Sequence, residues 1–206
     1  MTNDNIHTHM RQAYDRIAPY YAARNSEMRG ESLHLGMQFL ELLGRPARVL
    51  DLGCGAGRDM VWIEVQGASV TGTDLSRGML EHAGRQVRGP LVQADMTSLP
   101  FATSSFNGVW CMASLLHLPK AEAPSALAEM KRVLLPGGAL VLGLQEGDSE
   151  AWEVNPYEGV QERFFARYKL EEAEDMLACV GFNVRYKALD VTETRSWLHL
   201  IAVSAS

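Results

Sequence analysis

The stretch Val49-Leu50-Asp51-Leu52-Gly53-Cys54-Gly55-Ala56-Gly57 decides the fold. A short apolar run leads into three glycines at alternate positions, and a helix is predicted to begin at Arg58. Glycine lets the backbone adopt positive φ and removes the Cβ that would block a ligand lying against the chain. A strand that ends in such a turn and continues into a helix predicts a binding crevice at the carboxyl end of a sheet.

Strands and helices alternate regularly along the chain after this turn. Apolar segments of strand length recur at intervals of about 10–20 residues, with helical segments between them. The predicted strands are Arg48–Leu52, Ser69–Thr73, Pro90–Gln93, Gly108–Met112 and Ala139–Leu144. The predicted helices between them are Arg58–Gln66, Ser76–Val87 and Ala121–Leu134. This alternation predicts an α/β domain whose largely parallel sheet carries helices on both faces.

Both ends of the chain and one internal segment depart from this alternation. They comprise the helices Thr8–Ile17 and Ser26–Leu43 within residues 1–43, an insertion at residues 145–168, the helix Leu170–Val180, and the strands Phe182–Leu189 and Trp197–Val203. Ser26 is predicted to cap its helix. A short polar turn joins the last two strands, which predicts an antiparallel pair at the sheet edge. The insertion is rich in acidic and aromatic residues and is expected to lie near the ligand.

The composition argues against several classes of protein. With 206 residues, 47% of them hydrophobic and 21% charged, the chain predicts one globular domain spanning residues 1–206. A net charge of −6 and no basic stripe argue against a nucleic-acid partner. The three cysteines lack metal-ligand spacing, and Cys111 and Cys179 lie in apolar runs that predict buried thiols. A polar N-terminus and no apolar run near the roughly 20 residues that span a bilayer predict a cytoplasmic protein without a membrane partner.

The spacing of the three glycines separates the possible ligand classes. Dinucleotide-binding enzymes carry G-x-G-x-x-G, whereas Arg58 stands here where the third glycine belongs, and Gly57 comes one residue early. No Gly-Lys-Ser/Thr follows, which excludes a P-loop. The turn is therefore a poor match to those of NAD-binding enzymes. A plain tight turn at Gly53, Gly55 and Gly57 is the alternative.

Five segments in order resemble the signatures of class I S-adenosylmethionine-dependent methyltransferases. They are Asp51-Leu-Gly-Cys-Gly-Ala-Gly57, Val70-Thr-Gly-Thr-Asp74-Leu-Ser, Gln93-Ala-Asp95-Met96 with Leu99-Pro100-Phe101, Phe106-Asn-Gly-Val-Trp-Cys-Met112, and Leu134-Leu-Pro-Gly-Gly-Ala-Leu140. The resemblance is strong over residues 47–145 and weaker over residues 169–206. It implies a Rossmann-like, doubly wound, mostly parallel seven-stranded sheet with an antiparallel last strand.

The same resemblance implies a site for S-adenosyl-L-methionine. Asp74 and Asp95 end successive strands, where a carboxylate can accept hydrogen bonds from ribose hydroxyls and from the adenine amino group respectively. A helix-capping role for Asp74 and a turn role for Asp95 are the alternatives. The other residues that the resemblance places at the cofactor are Tyr14, Asp51, Gly53, Cys54, Gly55, Leu75, Met96 and Met112. Residues 1–43 are expected to cap this site, and Tyr20 and Arg24 are further candidates there.

The predicted activity is transfer of a methyl group to a small-molecule acceptor, by a monomer or homodimer without a metal. In-line displacement from a sulfonium mainly requires alignment and exclusion of water, so a base is needed only for a protonated nucleophile. His117 is the best candidate base, with a role in shaping its loop as the alternative. Trp152, Tyr157 and Phe164 are candidates for an apolar substrate wall. Rival functions are a methyltransferase acting on protein or nucleic acid and a nonenzymatic S-adenosylmethionine-binding protein.

Overall fold

The structure, a computed structural model, describes residues 3–28, 30–154 and 162–205. The strands are β1 Arg48–Leu52, β2 Ser69–Asp74, β3 Leu91–Gln93, β4 Phe106–Met112, β5 Leu134–Gln145, β6 Glu150–Val154, β7 Glu162–Ala166, β8 Phe182–Val191 and β9 Ser196–Ser204. The α-helices are α1 Asn3–Arg24, α2 Glu31–Leu43, α3 Arg58–Val65, α4 Arg77–Ala83, α5 Ala123–Val133 and α6 Leu170–Cys179. A 3₁₀ turn, Leu115–His117, follows β4.

Seven strands form one sheet in the order β3-β2-β1-β4-β5-β9-β8. Neighbouring strands from β3 to β5 pair in parallel, whereas β9 pairs antiparallel with both β5 and β8. The predicted fold class is therefore confirmed, and the last strand of the chain is the antiparallel one. From β1 the chain continues through β2 and β3 to one edge of the sheet, and from β4 it continues to β5 on the other side. The carboxyl ends of β1 and β4 therefore flank the crevice of a doubly wound sheet.

Helices cover both faces of the sheet because its central strands are apolar on both faces. Leu50 of β1 belongs to a core with residues of α5 and α6, whereas its neighbour Val49 packs with residues of α2 and α3. Both side chains are fully buried. Successive side chains point to opposite faces of a strand, so a continuous apolar run is the pattern of a strand covered on both sides.

The N-terminal helix is longer than the sequence predicts. The helix predicted at Thr8–Ile17 runs instead from residue 3 to residue 24 and passes through Pro19. An internal proline costs about 3 kcal/mol in an isolated helix. Ile17 and Ala18 are buried and pack with Met79 of α4, and this tertiary packing outweighs the local cost.

The second helix begins later than predicted. Ser26 does not cap it, since α2 starts at Glu31 after Gly30, whose φ is 57°. Positive φ suits glycine and lets the chain turn sharply before the helix. The serine signal was misleading because a cap also requires the following residues to pack as a helix.

The insertion at residues 145–168 contains regular structure. After β5, strands β6 and β7 pair antiparallel as a separate ribbon in which Trp152 lies opposite Phe164. The sequence shows no alternation long enough to predict two such short strands. Tyr157, the third aromatic residue predicted for a substrate wall, lies outside the described residues.

The C-terminal hairpin is confirmed, as is the glycine that ends α6. Gly181 has a φ of 82° directly after that helix, and β8 pairs with β9 as predicted. The prediction that Cys179 is buried is wrong, whereas Cys111 is buried. Ala173 and Leu177 form the buried stripe of α6, and Cys179, two residues after Leu177, falls on the opposite face.

Candidate functional site

A cleft lies at the carboxyl ends of β1, β2, β3 and β4, with α1 along one side. Its volume, counted out to the open mouth, is about 810 Å³. Clefts that hold small molecules and cofactors span roughly 300–1,000 Å³. The predicted site residues that line it are Tyr14, Gly53, Gly55, Asp74, Leu75, Asp95, Met96, Met112 and His117. The fold therefore gathers most of the predicted site residues around one space.

The glycine turn is held against the end of β2 and against the segment that follows β4. Gly53 has a φ of 76°, and its N–H donates to the carbonyl of Thr73 at 2.8 Å. A Cβ at Gly53 would overlap the side chain of Ser114. Gly55 differs, because a Cβ there would meet only Tyr21, at 3.7 Å. Gly53 is thus required for packing, whereas Gly55 leaves room beside the cleft for a ligand.

Asp74 joins the end of β2 to the glycine turn. Its Oδ2 accepts from the Gly55 N–H at 2.9 Å, and its Oδ1 accepts from the Ser76 N–H at 2.8 Å. Burial raises the pKa of this carboxyl to about 6, with a further contribution from Asp15. Each carboxylate oxygen offers two acceptor positions, so both retain capacity for a hydroxyl donor. The helix cap at the following turn is made by Ser76, whose Oγ accepts from the Met79 N–H.

Asp95 stabilises a turn, which is the alternative role considered for it from the sequence. Its Oδ1 accepts from the N–H and the hydroxyl of Thr97, at 2.8 and 2.7 Å. Its Oδ2 lies 2.8 Å from Nδ1 of His7, which belongs to α1. The hydrogen bond from His7 lowers the pKa of Asp95 to about 2. Asp95 therefore remains ionised while it lines the cleft.

Two predicted cofactor residues, Asp51 and Cys54, lie outside the lining of the cleft. Asp51 is 2% exposed, and its Oδ2 has no hydrogen-bond partner within the described part of the chain. Burial, followed by the nearby Asp59 carboxylate, raises the pKa of Asp51 well above its usual value. The Cys54 thiol is buried too, and burial raises its pKa.

Replacing Asp51 with asparagine is expected to raise the melting temperature of the ligand-free protein at pH 7–8, by about 2–4 °C for each kcal/mol gained. The folded state favours the protonated form of Asp51. This carboxyl therefore lowers the stability of the protein increasingly as the pH rises above the usual aspartate pKa of 3.8. The gain should therefore shrink towards pH 4 in thermal melts. Asp175→Asn, on the exposed face of α6, is the control. An Asp51→Asn variant that melts earlier at pH 8 would contradict the buried charge.

His117 is engaged through both ring nitrogens. Its Nδ1 donates to the Phe164 carbonyl at 2.8 Å, since a carbonyl only accepts, and Nε2 therefore accepts from the Tyr14 hydroxyl at 2.6 Å. Burial lowers the pKa of His117 to about 3. Arg163 also donates to the Tyr14 hydroxyl, at 3.1 Å. A neutral imidazole in this arrangement suits holding Tyr14 in place better than removing a proton at neutral pH.

The sequence missed much of the contribution of α1. His7, Met10, Arg11 and Tyr21 line the cleft together with Tyr14. These positions recur at three, four and seven residues, so they share one face of the helix. The signal was present in the sequence, but a helix predicted only from Thr8 to Ile17 is too short to display it. Of the other two candidates in this region, Tyr20 is 45% exposed and Arg24 is exposed as well, and neither lines the cleft.

Comparisons with known proteins agree with this geometry. Residues 49–138 match a family model described as a methyltransferase domain. The chain is 34% identical over 167 residues to a malonyl-acyl-carrier-protein O-methyltransferase of Enterobacter lignolyticus, covering 78% of this chain and 65% of that protein. The chain spans between about a third and two thirds of the length of the first curated relatives it matches.

Solved structures share the fold. A SAM-dependent methyltransferase of Methanosarcina mazei superposes with a TM-score of 0.72 at 21% identity, covering 82% of this chain and 96% of that one. A 1,6-didemethyltoxoflavin-N1-methyltransferase of Burkholderia thailandensis, solved with S-adenosylhomocysteine, gives 0.69 at 23% identity, covering 84% and 77%. At these identities the solved structures show the fold alone, whereas the family model and the sequence relatives show that the chain belongs to the methyltransferase family.

Proposed function

We propose that this protein transfers a methyl group from S-adenosylmethionine to a small-molecule acceptor. The observation that carries the proposal is the position of Asp74. This residue lines the cleft, and one oxygen of its carboxylate accepts a hydrogen bond from the Gly55 N–H. An acid in that place can receive both ribose hydroxyls of a nucleoside that lies against side-chain-free backbone.

The chain's own residues fit the cofactor along its length. Asp95 lies two residues after β3, where it can accept from the adenine amino group, and Met96 and Leu75 also line the cleft. Met112 and Gly53 lie at the ends of β4 and β1 and suit the methionine portion. Oδ2 of Asp51 is buried just before the glycine turn and has no partner among the described residues, and we assign to it a water-mediated hydrogen bond from the cofactor's amino group. Cys54 is assigned a backbone role in the turn.

When bound, the cofactor supplies an activated methyl group on a sulfonium. The residues around it need to align an acceptor and exclude water, which can account for much of a displacement of this kind. We assign Tyr14 to the acceptor side of the cleft and His117 to holding the Tyr14 hydroxyl. The low pKa of His117 supports this role over that of a base.

We further propose that residues 1–43 cap the cofactor site and that residues 145–168 border the acceptor site, within one domain of residues 1–206. The Phe164 N–H of β7 lies 3.1 Å from Sδ of Met10 in α1, and the ring of Phe165 packs edge-on against His117 at 4.8 Å. Trp152 packs against Phe164 and extends this apolar wall. The ribbon and α1 thus meet beside the end of the cleft where His117 lies.

The acceptor is proposed to be a metabolite rather than a nucleic acid. Support comes from the net charge of −6 and from a structural relative whose name describes action on 1,6-didemethyltoxoflavin. No described helix is both long and apolar enough to cross a bilayer. A monomer or homodimer acting in the cytoplasm is part of the same proposal.

One experiment tests the proposed function directly. The purified protein is incubated with methyl-labelled S-adenosylmethionine and a metabolite extract of its host, and labelled products are identified by mass spectrometry. We expect a labelled small molecule that is absent when the Asp74→Ala variant replaces the wild type. Binding of S-adenosylhomocysteine without any labelled product would instead favour a nonenzymatic binding protein, and label on protein or nucleic acid would favour a macromolecular acceptor.

A further inference from the structure

His7 joins three parts of the molecule that are far apart in the sequence. It lies near the start of α1, and its Nδ1 is 2.8 Å from Oδ2 of Asp95, which follows β3. Its Nε2 is 2.6 Å from Oε2 of Glu122, the residue before α5. Carboxylates only accept hydrogen bonds, so an imidazole held between two of them carries a proton on each nitrogen. The contact is a charged bridge from α1 to two separate elements.

This bridge also limits how the Asp95 carboxylate can turn. Both acceptor positions of its Oδ1 are used by the N–H and the hydroxyl of Thr97. One position of its Oδ2 is used by His7, and an oxygen of this kind accepts two hydrogen bonds. Asp95 and His7 both line the cleft. One acceptor position on Oδ2 therefore remains for a donor, and a neutral amino group has that chemistry.

We propose that His7 is a positioning residue for the cofactor, which orients the Asp95 carboxylate towards the adenine amino group and ties α1 to Glu122 over that end of the cleft. This inference rests on the proposed function, because it assumes that the cleft takes an adenine nucleoside. His7 itself acts through Asp95 and Glu122.

The charges around His7 support a protonated bridge at neutral pH. The hydrogen bond to Asp95, followed by further attraction from that carboxylate and from Glu122, raises the pKa of His7 to about 9. Arg11, one turn further along α1, is the other charged group of that helix at the cleft, and it lies 3.9 Å from Asp15. The contribution of protonated His7 to stability is fully present below the usual histidine pKa of 6.5 and is lost as the pH rises through the raised pKa of about 9.

Two conservative substitutions separate the two contacts of His7. The amide nitrogen of asparagine falls near the position of Nδ1 and can still donate to Asp95, whereas that of glutamine falls near Nε2 and can still donate to Glu122. Calorimetric titration with S-adenosylhomocysteine at pH 7.5 should show about tenfold weaker binding for His7→Gln, the size of one charge-assisted hydrogen bond. His7→Asn should lose less. His34→Gln, in α2 and bonded to Gln38, is the matched control.

A modified nucleoside makes the test specific for the adenine amino group. S-inosylhomocysteine carries an oxygen in place of that amino group, so wild type should bind it more weakly than S-adenosylhomocysteine. His7→Gln should lower its affinity little further. In addition, affinity for S-adenosylhomocysteine should fall more steeply between pH 8 and pH 10 in the wild type than in His7→Gln, because the ligand's own amino group titrates alike with both proteins.

The outcomes distinguish the failure of this inference from that of the proposed function. Equal losses for both nucleosides in His7→Gln would show a merely structural role, and a wild-type affinity that falls through pH 10 no more than that of His7→Gln would also overturn the inference. In either case the proposed function would stand, because the wild type would still bind the cofactor product. A wild type that binds neither nucleoside would overturn the proposed function, and the role of His7 with it.

Discussion

Replacing Asp74 with alanine is expected to weaken binding of S-adenosylhomocysteine by on the order of a hundredfold or more. Two hydrogen bonds from ribose hydroxyls to a charged group contribute roughly 1.5–3 kcal/mol each, and the substitution removes both. It also leaves the N–H groups of Gly55 and Ser76 without their acceptor, which should loosen the turn to which we assign the nucleoside. Calorimetric titration of both proteins measures the affinity.

The pH dependence gives a second check on Asp74. Because burial raises the pKa of this carboxyl to about 6, the ligand-free protein loses the carboxylate as the pH falls through that value. Wild-type affinity should therefore decrease between pH 7 and pH 5, and that of Asp74→Ala should not change for this reason. Asp175→Ala, on the exposed face of α6, should bind like the wild type. Unchanged affinity in Asp74→Ala would remove the ribose assignment.

Replacing Gly53 with alanine is expected to lower both stability and cofactor affinity. The backbone there has a φ of 76°, which costs an alanine about 1–2 kcal/mol, and its Cβ would also overlap Ser114. Overpacking of this kind adds about 1–3 kcal/mol. Together these costs are about 2–5 kcal/mol, so at about 2–4 °C per kcal/mol the melting temperature should fall by roughly 4–20 °C. Because Ser114 lines the cleft, its displacement should weaken binding of S-adenosylhomocysteine at least about tenfold, for 1.4 kcal/mol or more.

A second glycine provides a matched control for Gly53. Gly137 has nearly the same φ, 75°, but a Cβ there would meet nothing within 4 Å. Gly137→Ala should therefore show the backbone strain alone, with a smaller loss of melting temperature and unchanged cofactor affinity. Ser114→Gly combined with Gly53→Ala should recover the part that is due to overlap. Equal effects of Gly53→Ala and Gly137→Ala would contradict the packing of the turn against Ser114.

Local patterns in the sequence were sufficient for the regular parts of the fold. The strands β1 and β4 were predicted to within two residues at each end, because a strand buried on both faces requires a largely apolar run. The glycine turn was predicted from the same stretch, since positive φ is tolerated best by glycine. The strands β6 and β7 are each only five residues long and lack a sustained alternation of apolar and polar residues. No comparable local signal therefore predicts them.

By itself, the sequence determined the α/β alternation, the glycine turn and the positions of Asp74 and Asp95 at or just after strand ends, because each of these depends on residues that are neighbours along the chain. Only the tertiary structure decided that α1 continues through Pro19, that Asp51 lies outside the cleft, and that His117 bonds to Tyr14. His7 reaches Asp95 and Glu122 across 88 and 115 residues of sequence. Such contacts depend on which surfaces are buried together, and no local spacing of residue types carries that information.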